Sequence, residues 1–227
     1  MIRDDAAGRI RQILGFRTDL FNESLDAIRE AQEDAEAGEL GFLPWFLRRT
    51  AGYTLPPGEK DLALPDGFIR EYDHEKYALW LEGAGPARRV PYFSPSRAGT
   101  LKSNRPVYWV DENVMKLDRR FDVEIRAEFL YYKRDTVLNS NVENSWLQHG
   151  SKYIIGAAGL KLAGVRDEIA RETFETMQQS GAGNLLRADT AYRTGSHKPQ
   201  FGDGLDRDFR DTDSGSIRYN DYDLGYE

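Results

Sequence analysis

The chain of 227 residues is 40% hydrophobic and 30% charged, contains no cysteine and carries a formal net charge of −7. That length fits one domain, or one domain with an insertion. Without cysteine there is no disulfide framework, thiol nucleophile or cysteine-held metal, and the acidic balance argues against a basic nucleic-acid-binding stripe.

Residues 4–14 predict a short helix with Ile10, Ile13 and Leu14 on one face, stopped by Gly15. Thr18 and Asp19 are good caps for a second helix. It runs to about Gly38 with Phe21, Leu25, Ile28, Ala31 and Ala35 at helical spacing, and Glu23, Asp26, Arg29, Glu30, Glu33 and Asp34 opposite. The cluster Phe42, Leu43, Trp45, Phe46, Leu47 then reads as a plug seating that helix on the core, with Pro44 setting a bend. From about residue 60 the period shortens. "GFIREY", "YALWLE", "PVYWVDE" and "NVMKLD" are short, aromatic or β-branched runs separated by turn residues. "FDVEIRAEFLYY" alternates, with Phe121, Val123, Ile125, Ala127, Phe129 and Tyr131 on one face, and predicts a half-buried antiparallel strand. Between strands, residues 83–106 are rich in Gly and Pro and read as a long loop.

Helix is expected again from Asn141, with Trp146, Leu147, Ile154, Ala157 and Ala158 on one side and Gly150, Gly156 and Gly159 admitting another helix closely. A second long helix follows Gly164, carrying Val165, Ile169, Thr173 and Met177, and is weakened or kinked at Gly181 and Gly183. Regular structure is expected to stop at about Gly195. The fold class is therefore α+β: an antiparallel helical bundle (1–55 and 138–195), an inserted small antiparallel sheet or sandwich (56–137) and an extended arm (196–227).

The arm's composition is unusual. Residues 199–227 hold eight acidic residues against three arginines, a net −5 that leaves −2 for residues 1–198. It is too polar to fold alone. Yet Phe201, Phe209, Tyr219, Tyr222 and Tyr226 recur along it, with Ile217 and Leu224 between. Separate anchors on an acidic, Gly-containing segment suit an extended peptide that lays side chains into pockets on another surface. Loop residues Arg88 and Arg89 are candidate contacts to an acidic neighbour.

Catalytic chemistry finds no constellation. His74, His149 and His197 share no ligand spacing, so neither zinc nor a Ser-His-Asp arrangement is expected. "GAAGLKLAG" lacks the Lys-Ser/Thr of a phosphate loop and lies within a helical pattern. "DRDFRDTDSG" has the acid density of a calcium loop, but Gly215 falls one position early and no bidentate Glu follows. The expectation is a non-enzyme without cofactor or metal. "MIRDDAAGRIRQ" lacks a signal peptide's apolar stretch, and no run approaches a membrane span.

The stretch "RIRQILGFRTDLFNESLDAIREAQEDAEAGELGFLPWFLRR" resembles the N-terminal signature of tailed-bacteriophage head-to-tail adaptors, through Leu14–Gly15, Arg17, Asp19, Gln32 and the run Leu43 to Leu47. "FLYYKRDTVLNSNVENSWLQHGSKYIIGAAGLKLA" resembles the point where that family leaves its β insertion, through Tyr131–Tyr132, Leu138, Asn144, Trp146–Leu147, Ile154–Ile155 and Ala163. "NLLRADTAYR" is similar to the end of its last long helix. The resemblance covers about half the chain. It implies a structural virion protein made in the host cytoplasm and placed in the neck. Such a protein forms a ring, usually dodecameric, beneath the portal, bound to portal and to a tail or nozzle protein. Genomic DNA then passes through the lumen without specific binding, and no membrane is involved. The alternative is a tail or baseplate component with a β-rich binding module.

Overall fold

A computed structural model describes residues 1–72, 78–83, 85–93, 106–136, 144–163 and 167–193. The chain divides into two units, Met1–Asp189 and Thr190–Glu227. Of the second, only the last residues of the final helix are described.

Helices come first and last. α1 (Arg3–Ile13) places Ala6, Ala7 and Ile10 in the core. A 3-10 turn at Thr18–Leu20 leads into α2 (Phe21–Ala37). Gly38 ends α2 at φ 114°, where its N–H reaches back to Asp34 and Ala35 carbonyls; the left-handed stop favours glycine. The buried stripe of α2 is Ser24, Ala27, Ile28, Ala31, Gln32, Ala35 and Glu36. It is rotated from the expected face, so Leu25 lies at its half-buried margin and Ile28 at its centre. After a 3-10 turn at Trp45–Leu47, strand β1 (Arg48–Leu55) begins inside the stretch expected to be helical. β-branched Thr50 and Thr54, with Tyr53, suit a pleated strand.

Among the described residues, eight strands form two antiparallel sheets. In the larger, β8 (Ile125–Lys133) is central, with β1 on one side and β3 (Phe68–Glu71) and β4 (Leu79–Gly83) on the other. β5 (Gly85–Val90) pairs with β4. The expected loop 83–106 is thus corrected at its start, where Gly85–Val90 is strand; residues 94–105 lie outside the described residues. The smaller sheet runs β2 (Asp61–Ala63), β7 (Val114–Leu117), β6 (Tyr108–Asp111). Register explains the core: Ala51 and Leu79 flank Phe129, and Tyr53 and Leu81 flank Ala127. Tyr108 of the smaller sheet meets Phe129 edge-on at 6.1 Å, joining the sheets through buried rings.

Alternation holds in β8 from Ile125 to Phe129, but the strand starts later than expected, and Val123 is exposed. From Phe129 to Tyr132 both faces are covered, with Phe68 beside Phe129 and Tyr131 and Tyr72 beside Tyr132. Alternation ends because neighbours occupy both sides.

The chain returns to helix at α3 (Ser145–His149), breaks at Gly150, and continues as α4 (Ser151–Leu162). α1, α2 and α4 pack on one another. α5 (Glu168–Arg193) runs antiparallel to α4, with Leu185 near Gly150, Tyr153 against Gly181, Gln178 against Gly156 and Phe174 against Gly159. The close approach expected of Gly150, Gly156 and Gly159 is therefore present. At Gly181 and Gly183 α5 runs on without a break. No helix among the described residues is long and apolar enough to cross a membrane.

Candidate partner interface

Two groups of residues stand out, one exposed and one buried. The exposed group is the turn between α1 and α2. The Leu14 and Phe16 N–H groups donate to Ile10 and Arg11 carbonyls, closing the helix end, and Gly15 sits at φ 77°. Phe16 follows at φ 60°, a region aromatic side chains rarely adopt, and is 73% exposed. Next to it, the Arg17 guanidinium donates to both Asp19 carboxylate oxygens at 2.9 and 2.7 Å. The hydrogen bonds to Arg17 hold the Asp19 carboxyl below its ordinary range, and Asp167 adds a weaker pull on Arg17. Being exposed, this pair organises the turn more than it stabilises the fold. At the start of α5, Ile169 is 85% exposed. Single apolar residues on a surface are ordinary. A backbone-strained, exposed phenylalanine held between two fixed elements is not.

The buried group joins helix to sheet. Glu36, 7% exposed on α2, takes three donors on one oxygen: Trp146 Nε1 at 2.9 Å, the Asp135 backbone N–H at 3.1 Å and Gln32 Nε2 at 3.1 Å. Burial raises the Glu36 pKa above the usual carboxylate value, against the pull of those donors. Asn144 Nδ2 donates to Gln32 Oε1 at 2.8 Å, while its own Oδ1 accepts from Leu147 N–H and caps α3. Asp135 accepts from Ser145 and Thr136 N–H groups. Trp146 meets Phe46 edge-on at 5.1 Å, and His149 stacks on Phe46 at 5.4 Å. The chain leaving β8 and the helix that re-enters are thus bonded to α2 through one polar node, roofed by the plug residue Phe46.

Burial also lowers the His149 pKa, with Asp135 opposing. The sign follows: the unfolded imidazole binds protons more readily, so this contribution to stability is present above pH ~6.5 and declines below it. A proton NMR titration should find His149 titrating below the ordinary imidazole value; a value at or above it would contradict the packing.

The sequence-predicted sites fare differently. Phe201, Phe209, Ile217, Tyr219, Tyr222, Leu224 and Tyr226 all lie outside the described residues, as do His74 and His197. Arg88 is a strand residue opposite Leu81, and its side chain is not among those described. Arg89 is exposed, with its guanidinium 4.4 Å from the Trp80 ring centre, so it belongs to a strand and not to a loop. Sequence reasoning missed Phe16, Glu36 and Asp135. For Glu36 a signal existed: it stands one turn beyond Gln32 and beside Ala35, in line with the apolar stripe. Among the described residues, no three His, Asp or Glu side chains are grouped to hold a metal ion.

Gln32, Asn144 and Trp146, together with Arg17 and Asp19, are among the residues whose pattern carried the resemblance above. A family model described as SU10 adaptor protein matches residues 2–200. No curated protein matches the chain.

Proposed function

Because this chain belongs to the SU10 adaptor protein family, a family of phage head-to-tail adaptors, we propose that it assembles as a ring, dodecameric, beneath the portal. There it joins the portal to a tail or nozzle protein in the virion neck, and genomic DNA passes through the ring. The observation that carries this reading is the extent of the family match, which spans both the helices and the β region. Physical features support it. A polar chain with a thin core suits subunits that bury further surface against neighbours. The net charge of −7 disfavours tight adhesion of DNA phosphates to the lumen. The role requires no catalysis and no cofactor.

In this reading the arm at 199–227 is the docking element, ordering on the portal or on an adjacent subunit. Its aspartates steer it to a basic surface and its rings hold it there. Truncation after Lys198 should leave helicity and melting unchanged while abolishing assembly on portal, as read by negative-stain imaging of the mixture and by co-sedimentation. Tyr222→Ala and Phe209→Ala should each give partial losses. A chain that forms a stable trimer by itself and ignores portal would sink the adaptor ring and favour a tail or baseplate module. A truncated chain that joins portal with normal affinity and salt dependence would remove the arm from docking.

A further inference from the structure

One end of the larger sheet gathers positive charge in an otherwise acidic protein. Register places Arg48 of β1 and Arg70 of β3 on either side of Tyr132, with Arg49 opposite Tyr131 and Phe68 opposite Lys133. Arg134 follows directly, its N–H bonded to the Gly67 carbonyl at 2.8 Å. The cations are interleaved with rings. The Arg48 guanidinium lies 4.2 Å from the Tyr72 ring centre and Arg70 lies 5.8 Å from that of Tyr132, while the two tyrosines are 5.4 Å apart. Arg49 bonds only carbonyls, those of Phe46 and Arg48. Arg48, Arg49, Lys133 and Arg134 form no ion pair with any described residue. The nearby acids are Asp66, which acts on Tyr131, Glu71, which acts on Tyr92 and Tyr108, and Asp135, which accepts from Ser145 and Thr136.

We propose that this basic end of the sheet, formed by Arg48, Arg49, Lys133 and Arg134, receives the acidic arm (199–227) of a neighbouring copy of the chain. The inference rests on the ring reading above and names the surface on which the arm docks. Two properties match. The arm's −5 meets four cations that pair with no described acid, which speeds and orients encounter. Its Phe and Tyr rings can stack on the guanidinium groups of exposed Arg49 and Arg134, a contact suited to arginine's planar, weakly hydrated fork. A phosphate backbone would use the charge but offers no Phe or Tyr rings to stack on the guanidinium groups.

The test uses the full chain. A photo-crosslinking phenylalanine is placed at position 209 or 222, equal amounts of unlabelled and nitrogen-15-labelled chains are mixed with portal, and crosslinked peptides are read by mass spectrometry. Light–heavy crosslinks landing at 48–49, 68–72 and 131–134 are expected. Arg49→Glu with Arg134→Glu should lower their yield on the order of tenfold, and Arg49→Lys with Arg134→Lys should retain them. High salt should act like the reversal, since screening shortens to ~3 Å at 1 M. Crosslinks confined to one chain, found on portal alone, or undiminished by charge reversal overturn the proposal. So does a reversed variant whose crosslinks persist while retention of duplex DNA is lost, which would assign the patch to phosphate. The ring is imaged in the same samples. A ring on portal whose crosslinks avoid the patch overturns this inference alone, whereas light–heavy crosslinks at the patch without a portal ring support it and overturn the ring.

Discussion

Replacing Glu36 with alanine should destabilise the protein by about 3–5 kcal/mol, since three buried donors would each lose an acceptor at roughly 1–3 kcal/mol apiece, with partial relief from entering water. For a chain of this size that corresponds to a fall in melting temperature of roughly ten degrees. Glu36→Gln should behave oppositely. Its amide oxygen can still accept from Trp146, Asp135 and Gln32, and it removes a buried charge, so stability at neutral pH should stay within about 1 kcal/mol of the parent. The pH dependence separates the two. Because burial raises the folded-state pKa of Glu36, its stabilising contribution is complete below the unfolded carboxylate value of ~4.3 and is lost as pH rises through the folded value. His149, whose folded pKa is lowered, contributes the opposite slope. Urea unfolding at several pH values should show Glu36→Gln losing the Glu36 component while keeping that of His149. If Glu36→Ala melts with the parent protein, the node does not hold helix to sheet.

The same node shows what was legible in the sequence. Helices appear in one-dimensional periodicity because their neighbours are three and four residues away. α1, α2, α4 and α5 were all readable in that way, as was the alternation of β8. The rotation of the α2 face was not, because Gln32 and Glu36 are buried by partners about a hundred residues distant. Gln32 meets Asn144, and Glu36 meets Asp135 and Trp146. No spacing rule links such positions, and a polar residue with a buried partner reads as solvated until the partner is seen. The resemblance to phage adaptors had marked Gln32, Asn144 and Trp146 without a reason, and the hydrogen bonds supply one. Strand β5 was hidden for another cause. Gly85 and Pro86 read as loop, yet an edge strand tolerates proline where no ladder hydrogen bond is required of its N–H. The rings proposed as anchors on the arm are a reading of composition, and they lie outside the described residues. The cations at the end of β8 were not legible, since they come from β1 and from the far end of β8 and meet only through register.

Two glycines on one helix carry the sharpest consequence of the packing. Gly181 and Gly183 both lie in the interior of α5, where glycine in place of alanine costs about 1 kcal/mol in helix propensity. On propensity alone, alanine should stabilise at either position. Their surroundings differ. A Cβ at Gly181 would stand 2.5 Å from the Tyr153 backbone nitrogen and 2.7 Å from its Cα, whereas one at Gly183 meets nothing within 4 Å. Backbone cannot swing aside as a side-chain tip can, so Gly181→Ala must push α5 away from α4. The displacement opens contacts around Gly156, where a Cβ would likewise meet the Gln178 Cα at 2.8 Å, and around buried Phe174 and Leu185. Overpacking of this kind costs about 1–3 kcal/mol or more and outweighs the propensity gain. The net expectation is a melting temperature several degrees lower for Gly181→Ala and a few degrees higher for Gly183→Ala, at roughly 2–4 °C per kcal/mol. Calorimetry on the two variants and the parent chain measures both signs at once. A pair of variants that shift in the same direction would mean that α5 does not sit against α4 through these glycines.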